Sequence, residues 1–440
     1  MRIEHVKVFT RRPQPEQTGG EIFPESSHGA PFPAGQGKYH FVPGGVLLRG
    51  DRIEAVYTED GSSKDVLLRD AAARAAVPGT NAPDTSADAA QGEVIDGRGA
   101  FLIPGMIDLH FHGCMGDDIC DGTLEAIERI AAYEASIGVT TICPATMTLP
   151  LEELEAVLRT AAQYQRERKA GIRDGAKHAD FAGLNMEGPF ISPVKKGAQD
   201  GVNILPASAA VAGRLLDASE GLVKFLGLAP EESPDYLAYI KTMKERVKIS
   251  LAHTNADYGT AKAAFDAGAC HVVHLYNAMP PFHHRDPGVV GAAADSPQVS
   301  AELICDGIHV HPAVVRSTIK MLGEERVVFI SDSMRATGMP DGRYLLGGLE
   351  VCVRGNRAVL AEGGSLAGSV MSLPDIVRTA VREMGIPLET AVACASVNPA
   401  RCLGIEDTVG SVEPGKKANL VLLGENLELL GVIKDGKVLK

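Results

Sequence analysis

Residues 102–113 read LIPGMIDLHFHG, an apolar run that stops on two histidines, His110 and His112. Four further apolar runs carry a polar side chain at the same place: FAGLNMEGP (181–189) at Glu187, VKISLAHTNA (247–256) at His253, HVVHLYNAM (271–279) at His274 and VVFISDSM (327–334) at Asp332. Strands that finish in His, Glu and Asp describe a parallel barrel with its polar groups gathered on the open rim. A histidine binds a metal only when neutral, and an acid beside it is the natural proton carrier, so the pattern points to metal-dependent hydrolysis.

Working outward, eight β-rich apolar runs lie at 102–110, 138–147, 181–188, 221–231, 247–253, 271–278, 301–309 and 326–332. Segments with apolar residues at helical spacing separate them, such as LEAIERIAAYEASIG, LEELEAVLRTAAQYQRER and YGTAKAAFDAGA. Parallel strands need crossover helices, so the alternation predicts an α/β fold, a (β/α)8 TIM barrel over residues 104–405 that the helix LPDIVRTAVREMG completes. Short alternating strands with Gly and Asp turns flank it on both sides. They predict a small β-sandwich formed by both chain ends, residues 1–103 and 406–440. Within the first part, 11–40 and 68–92 are rich in Pro, Gly, Ala, Ser and Asp and read as loop insertions.

The 440 residues exceed one ordinary core, which agrees with a barrel plus a small second domain. No apolar run approaches the roughly 20 residues of a membrane span. The start, MRIEHVKVFTRR, has the alternation of a strand and not the pattern of an export signal, so a cytoplasmic location is expected. The formal net charge of −13 argues against nucleic acid or an anionic membrane as partner, so a cation that receives an anionic substrate must be local. The eight cysteines are scattered through apolar segments without a CxxC pair and read as reduced thiols.

A lone HxH on a strand is ambiguous, because alternate residues face opposite ways and one histidine can simply pack in a core. At a strand's end the pleat relaxes, and both imidazoles can turn to one ion. Glu187 is a stronger sign: a carboxylate between an apolar strand and a Gly-Pro turn is costly to bury unless it has a partner. His253 and His274 end neighbouring strands and, with Glu187, supply the three protein ligands of an open catalytic metal site. Asp332 can be the cap of a following turn or the acid-base group. Together the six make the bland readings improbable.

A further set of stretches carries a resemblance. PGMIDLHFHG, GVTTICPAT, NMEGPF followed by KKGAQ, AHTNA, HLYNAMPPFHHRDPG, ICDGIHV, SDSMRATGMPDGRYLLGG, GGSLAGS and ASVNPARCLGI span residues 103–406. In this order the chain resembles the N-acetylglucosamine-6-phosphate deacetylase family of the amidohydrolase superfamily. The resemblance implies Glu187, His253 and His274 as metal ligands, Asp332 as the catalytic acid-base, and His110 and His112 as the pair that holds a second metal in some members. It implies Asn277, Ala278, Arg285 and His309 as the group around the sugar phosphate, with the arginine reaching the neighbouring active site of a homodimer. Several relatives carry a histidine in the flap after KKG, where this chain has Gln199, which can donate a hydrogen bond but cannot become a cation. Gln199 is thus either a substrate-binding donor or a simple loop residue, and Lys195 and Lys196 lie either near the phosphate or at an exposed flap end.

The implied cofactor is a divalent metal, one or two ions per subunit, zinc foremost and iron, manganese or cobalt as alternatives. The implied reaction is hydrolysis of N-acetyl-D-glucosamine 6-phosphate to D-glucosamine 6-phosphate and acetate, in amino sugar catabolism and recycling. A rival keeps the barrel but acts on N-acetylgalactosamine 6-phosphate or another small amide. A non-catalytic scaffold would show erosion of the ligands or of Asp332, and all of them are present.

Overall fold

The computed structural model describes residues 1–12, 37–58 and 93–440. They form two compact units, Met1–Gly105 with Gly404–Lys440, and Met106–Leu403. The stretches read as loops, 11–40 and 68–92, fall mostly outside the described residues; Arg11 and Tyr39 with His40, at the described ends of the first, belong to strands.

In the first unit the strands from both chain ends join in one continuous eight-stranded sheet. Its seam pairs Leu420–Leu423 antiparallel with Phe101–Pro104, which in turn runs parallel to Arg2–Arg11. The expected sandwich thus takes the form of a single hydrogen-bonded sheet, with Ile3, Val8, Val46, Leu102, Leu420 and Ile433 in its buried cluster.

The second unit is the barrel. Its eight staves, in chain order, are Met106–Asp108, Val139–Ile142 continued by Ala145–Thr146, Asp180–Phe181 continued by Leu184–Met186, Val223–Leu228, Lys248–Leu251, His271–Val272, Ser300–Ile304 and Val327–Ile330. Each pairs in parallel with the next. The ring closes where Asp332 N–H donates to the His110 carbonyl at 3.0 Å and His112 N–H to the Ser333 carbonyl at 2.7 Å. The run read as one strand, 102–110, is therefore divided at Gly105, its first half lying in the other sheet. The sixth stave keeps only two ladder residues, because His274 and Tyr276 take positive φ and turn the chain into the rim.

Helices cross between staves where the spacing predicts them, as at Leu124–Ser136 and Leu151–Lys169. The second has Glu152 and Glu153 in its first turn and Arg166, Arg168 and Lys169 in its last, complementing the helix dipole. A short helix at Gly288–Ala294, made of small residues, was not expected from periodicity. After the eighth stave the chain inserts a three-stranded antiparallel sheet, Gly342–Leu346, Leu349–Arg354 and Arg357–Leu360, whose Leu346, Val351 and Val353 pack with Met147 and Met334 in a separate buried cluster. No helix among the described residues is long and apolar enough to cross a membrane.

One glycine shows how tightly the staves pack below the rim. A Cβ at Gly227 would sit 2.1 Å from the carbonyl oxygen of Glu187, so backbone would have to move. Gly227→Ala should cost about 1–3 kcal/mol and displace Glu187. In the helix Tyr258–Ala267, a Cβ at Gly259 meets only Asp257 Oδ1 at 3.6 Å, so Gly259→Ala is the matched control. Thermal unfolding should show a lower midpoint for the first and an unchanged or higher one for the second.

Candidate metal and acid-base centre

The six strand-end residues converge. His253 Nε2 and His274 Nε2 lie 2.7 and 2.8 Å from the same Glu187 oxygen and 3.2 Å from each other. Three donors on one tetrahedral ion with bonds near 2.0–2.1 Å would be about 3.3 Å apart. The observed triangle is slightly tighter, so these atoms fit an ion with a small outward relaxation. On the other side, His112 Nε2 is 3.3 Å from Asp332 Oδ1 and 3.7 Å from Glu187 Oε2. His110 Nε2 is 3.8 Å from both Glu187 and Asp332, buried and without a hydrogen-bond partner. A buried imidazole nitrogen facing two carboxylates across such a gap fits a cation between them. Two ligand groups result, His110–His112–Glu187 and Glu187–His253–His274.

Local structure aims each nitrogen. His112 Nδ1–H donates to the Ala145 carbonyl and His253 Nδ1–H to the Lys195 carbonyl, so both leave Nε2 for the centre. Positive φ values of 44°, 25° and 48° at His253, His274 and Asp332 turn the chain sharply where each stave ends. Non-glycine residues in that region cost of order 1–3 kcal/mol each, a cost that gathers at functional positions.

Electrostatics follow from burial and neighbours. Burial opposes the charge of Glu187, yet His253, His274 and His110 hold its carboxyl well below the usual range. Asp332 is also lowered, burial being outweighed by its bond to His112 and the nearby His110. For His110, burial works against protonation, but Glu302, Glu187 and Asp332 raise its pKa to about 10. The centre therefore attracts positive charge.

The other expected site residues divide. Asn277, Ala278, His309 and Gln199 line the pocket above the centre, a cavity of about 230 Å³. That volume lies below the roughly 300–1,000 Å³ of common ligand pockets and suits a substrate of single-ring size. His309 Nδ1–H donates to Asp306 at 2.6 Å, and this carboxylate raises its pKa against the effect of burial. Gln199 Nε2 donates to Glu187 at 2.6 Å while its Oε1 accepts from Thr148 N–H at 2.7 Å. An ionised carboxylate is the stronger acceptor, so the amide braces Glu187. Arg285 is exposed, bonded to His284, and is not among the lining residues of its own chain's pocket. Lys195 and Lys196 donate to the backbone carbonyls of Met279 and Gln199. A wider surface hollow of about 620 Å³ beside Arg159 and Arg214 offers no comparable chemistry, since both arginines pair with Glu155.

Residues not singled out from sequence also contribute. Leu346, Ser365 and Leu366, in and just after the inserted sheet, wall the pocket together with Met147, whose Sδ lies 3.7 Å from Gln199 Nε2. Glu302, fully buried, bonds His110 Nδ1 at 2.7 Å and His271 Nε2 at 2.9 Å.

Metal and protons compete for the same imidazoles. With its raised pKa, His110 of the metal-free protein keeps its proton at neutral pH, and an entering ion must displace it. The gain in thermal midpoint on adding Co²⁺ or Zn²⁺ should therefore grow from about pH 6 to about pH 8. A gain that does not change with pH would exclude His110 as a ligand.

Comparison with known proteins agrees with this geometry. Residues 101–439 match the model of the amidohydrolase family. The chain is 37% identical over 337 residues to the N-acetylgalactosamine-6-phosphate deacetylase of Escherichia coli O157:H7, covering 77% of this chain and 87% of that protein. It is 37% identical over 338 residues to the N-acetylglucosamine-6-phosphate deacetylase of Bacillus subtilis (strain 168), covering 77% and 84%. A variant of the Mycobacterium smegmatis N-acetyl-D-glucosamine-6-phosphate deacetylase, solved in complex with N-acetyl-D-glucosamine-6-phosphate, superposes with a TM-score of 0.77 at 32% identity, over 91% of this chain and 95% of that one. With a family match over most of its length and relatives at 37% identity over 77% of the chain, the chain belongs to the amidohydrolase family.

Proposed function

We propose that the chain hydrolyses the N-acetyl group of N-acetyl-D-glucosamine 6-phosphate to D-glucosamine 6-phosphate and acetate, in amino sugar catabolism and recycling. The observation that carries this reading is the convergence of Asp332 with five metal-competent side chains beneath a pocket lined by Asn277, Ala278 and His309. The named relatives, one of them bound to this sugar phosphate, supply the substrate.

Glu187, His253 and His274 would hold a divalent ion, zinc foremost and iron, manganese or cobalt as alternatives, and His110 with His112 would hold a second. When bound, such an ion polarises the amide carbonyl and lowers the pKa of water towards about 7. Asp332, kept ionised beside His112, takes the proton of the attacking water. It returns that proton to the amine nitrogen as the C–N bond breaks, which yields acetate and the free amine. Gln199 and the Lys195 carbonyl keep Glu187 and His253 in place. His309, Asn277 and Ala278 face the sugar phosphate, remote from the bond that breaks, so their binding energy orients the amide.

The exposed Arg285 suits a homodimer in which it reaches the neighbouring subunit's phosphate. Exposed Phe282 near it and Val194 and Val202 on the flap offer apolar surface for such a contact. The free cysteines agree with a cytoplasmic setting. A second reading, N-acetylgalactosamine 6-phosphate as substrate, is favoured by the 37% identity to the E. coli O157:H7 relative. Acetate release from both epimers, beside metal analysis of the purified protein, decides between them. Release from neither would end both readings.

Asp332→Asn should keep the fold and most of the metal while kcat falls by several orders of magnitude, because an amide cannot accept the proton. Near-normal turnover would remove Asp332 from the acid-base role. Arg285→Ala should lose about tenfold to several hundredfold in kcat/KM for the phosphorylated sugar and little for the unphosphorylated one. Mixing the Arg285→Ala and Asp332→Asn proteins should restore activity if the arginine acts across a dimer. Mixtures no more active than their parts would place it in its own subunit.

A further inference from the structure

Glu302 is the third residue of the stave Ser300–Ile304 and is 0% exposed. A buried carboxylate needs partners, and this one takes four hydrogen bonds. Oε2 accepts from His110 Nδ1–H at 2.7 Å and from the backbone N–H of His274 at 3.0 Å. Oε1 accepts from His271 Nε2–H at 2.9 Å and from Asn185 Nδ2 at 3.1 Å. The donors stand on or just beyond the ends of the first, third and sixth staves, so one side chain ties the chain at four staves together near the rim.

Two consequences bear on the metal centre. The proton on His110 Nδ1 is committed to Glu302, which leaves Nε2 as the nitrogen facing Glu187 and Asp332. The same oxygen also pins the backbone of His274, at φ 25°, which presents Nε2 to Glu187. His110 belongs to one ligand group and His274 to the other.

We propose that Glu302 is the positioning residue that couples the two ligand groups, fixing the tautomer of His110 and the backbone turn of His274 so that an ion at either group finds its nitrogens already aimed. This rests on the metal reading above.

The test uses the full chain and Co²⁺, whose visible spectrum reports ligand geometry. Glu302→Gln keeps the shape but turns one acceptor oxygen into a donor. It should weaken Co²⁺ binding by about tenfold to a hundredfold, the usual effect of losing such a partner. The spectrum of the saturated protein should change as well. In a His110→Ala background the same substitution should have a clearly smaller effect, because part of its action has lost its target. Glu302→Asp, which keeps the charge and withdraws both oxygens, should also weaken binding and serves where the Gln variant does not accumulate folded. Wild-type affinity and spectrum in either folded variant overturn the proposal, as does an equal effect with and without His110. Wild-type protein that takes up no Co²⁺ overturns the metal reading and the proposal with it.

Discussion

The hydrogen bond from Asp332 N–H to the His110 carbonyl, 3.0 Å long, is the seam at which the eighth stave meets the first. Closing the ring there does more than complete a barrel. It sets the acid at the end of one strand against the histidine pair at the end of another, and the 3.3 Å approach of Asp332 to His112 follows from that register. A one-residue slip would send Asp332 to the other face of the stave, away from the histidines. Architecture and chemistry are thus specified by the same pairing.

Burial alone does not decide which of the interior acids are charged. Asp108 and Glu302 are both buried among the staves, yet their carboxyls move in opposite directions. Asp108 is pushed up to about 7 by desolvation, which outweighs its bonds from the Ser331 hydroxyl and the backbone N–H of His110. Glu302 is driven well below the carboxylate range despite the same desolvation, because His110 and His271 face it. Glu187 and Asp332 follow Glu302 for the same reason. Facing imidazoles therefore keep these carboxyls ionised, while an acid whose hydrogen bonds come mainly from uncharged donors tends to keep its proton.

Much of this was legible from strand ends. An apolar run that finishes in His, Glu or Asp states both where the strand stops and what it carries, and the structure brings all six such residues together. Glu302 ends no apolar run but lies inside one, AELIC, so the strand-end pattern does not mark it. The reasoning that marked Glu187, the cost of an unpaired buried carboxylate, applies to it equally once the strand is known to have no exposed face. Sequence also did not separate LIPG from MIDLH, because a run of apolar residues does not say which sheet each half joins. The inserted sheet was readable in hindsight: LEVCVRGNRAVL alternates around a Gly-Asn turn. The position of Arg285 was not, since a loop's reach depends on its neighbours and not on its residues.

The inserted sheet at 342–360 has a separate bearing on how such a protein changes over time. Its apolar cluster is separate from that of the first unit and is shared with Met147, Met334 and Ala336, and it gives the pocket Leu346 and, through the strand-like segment beside it, Ser365 and Leu366. Asp332, Glu187 and the four histidines of the candidate centre stand at the ends of staves locked by the ring, whereas this wall is an appendix to one loop. Exchange of the appendix can remodel what the pocket admits without touching those strand-end groups. A lineage can thereby explore new acyl or sugar shapes while its hydrolytic core stays under unchanged constraint.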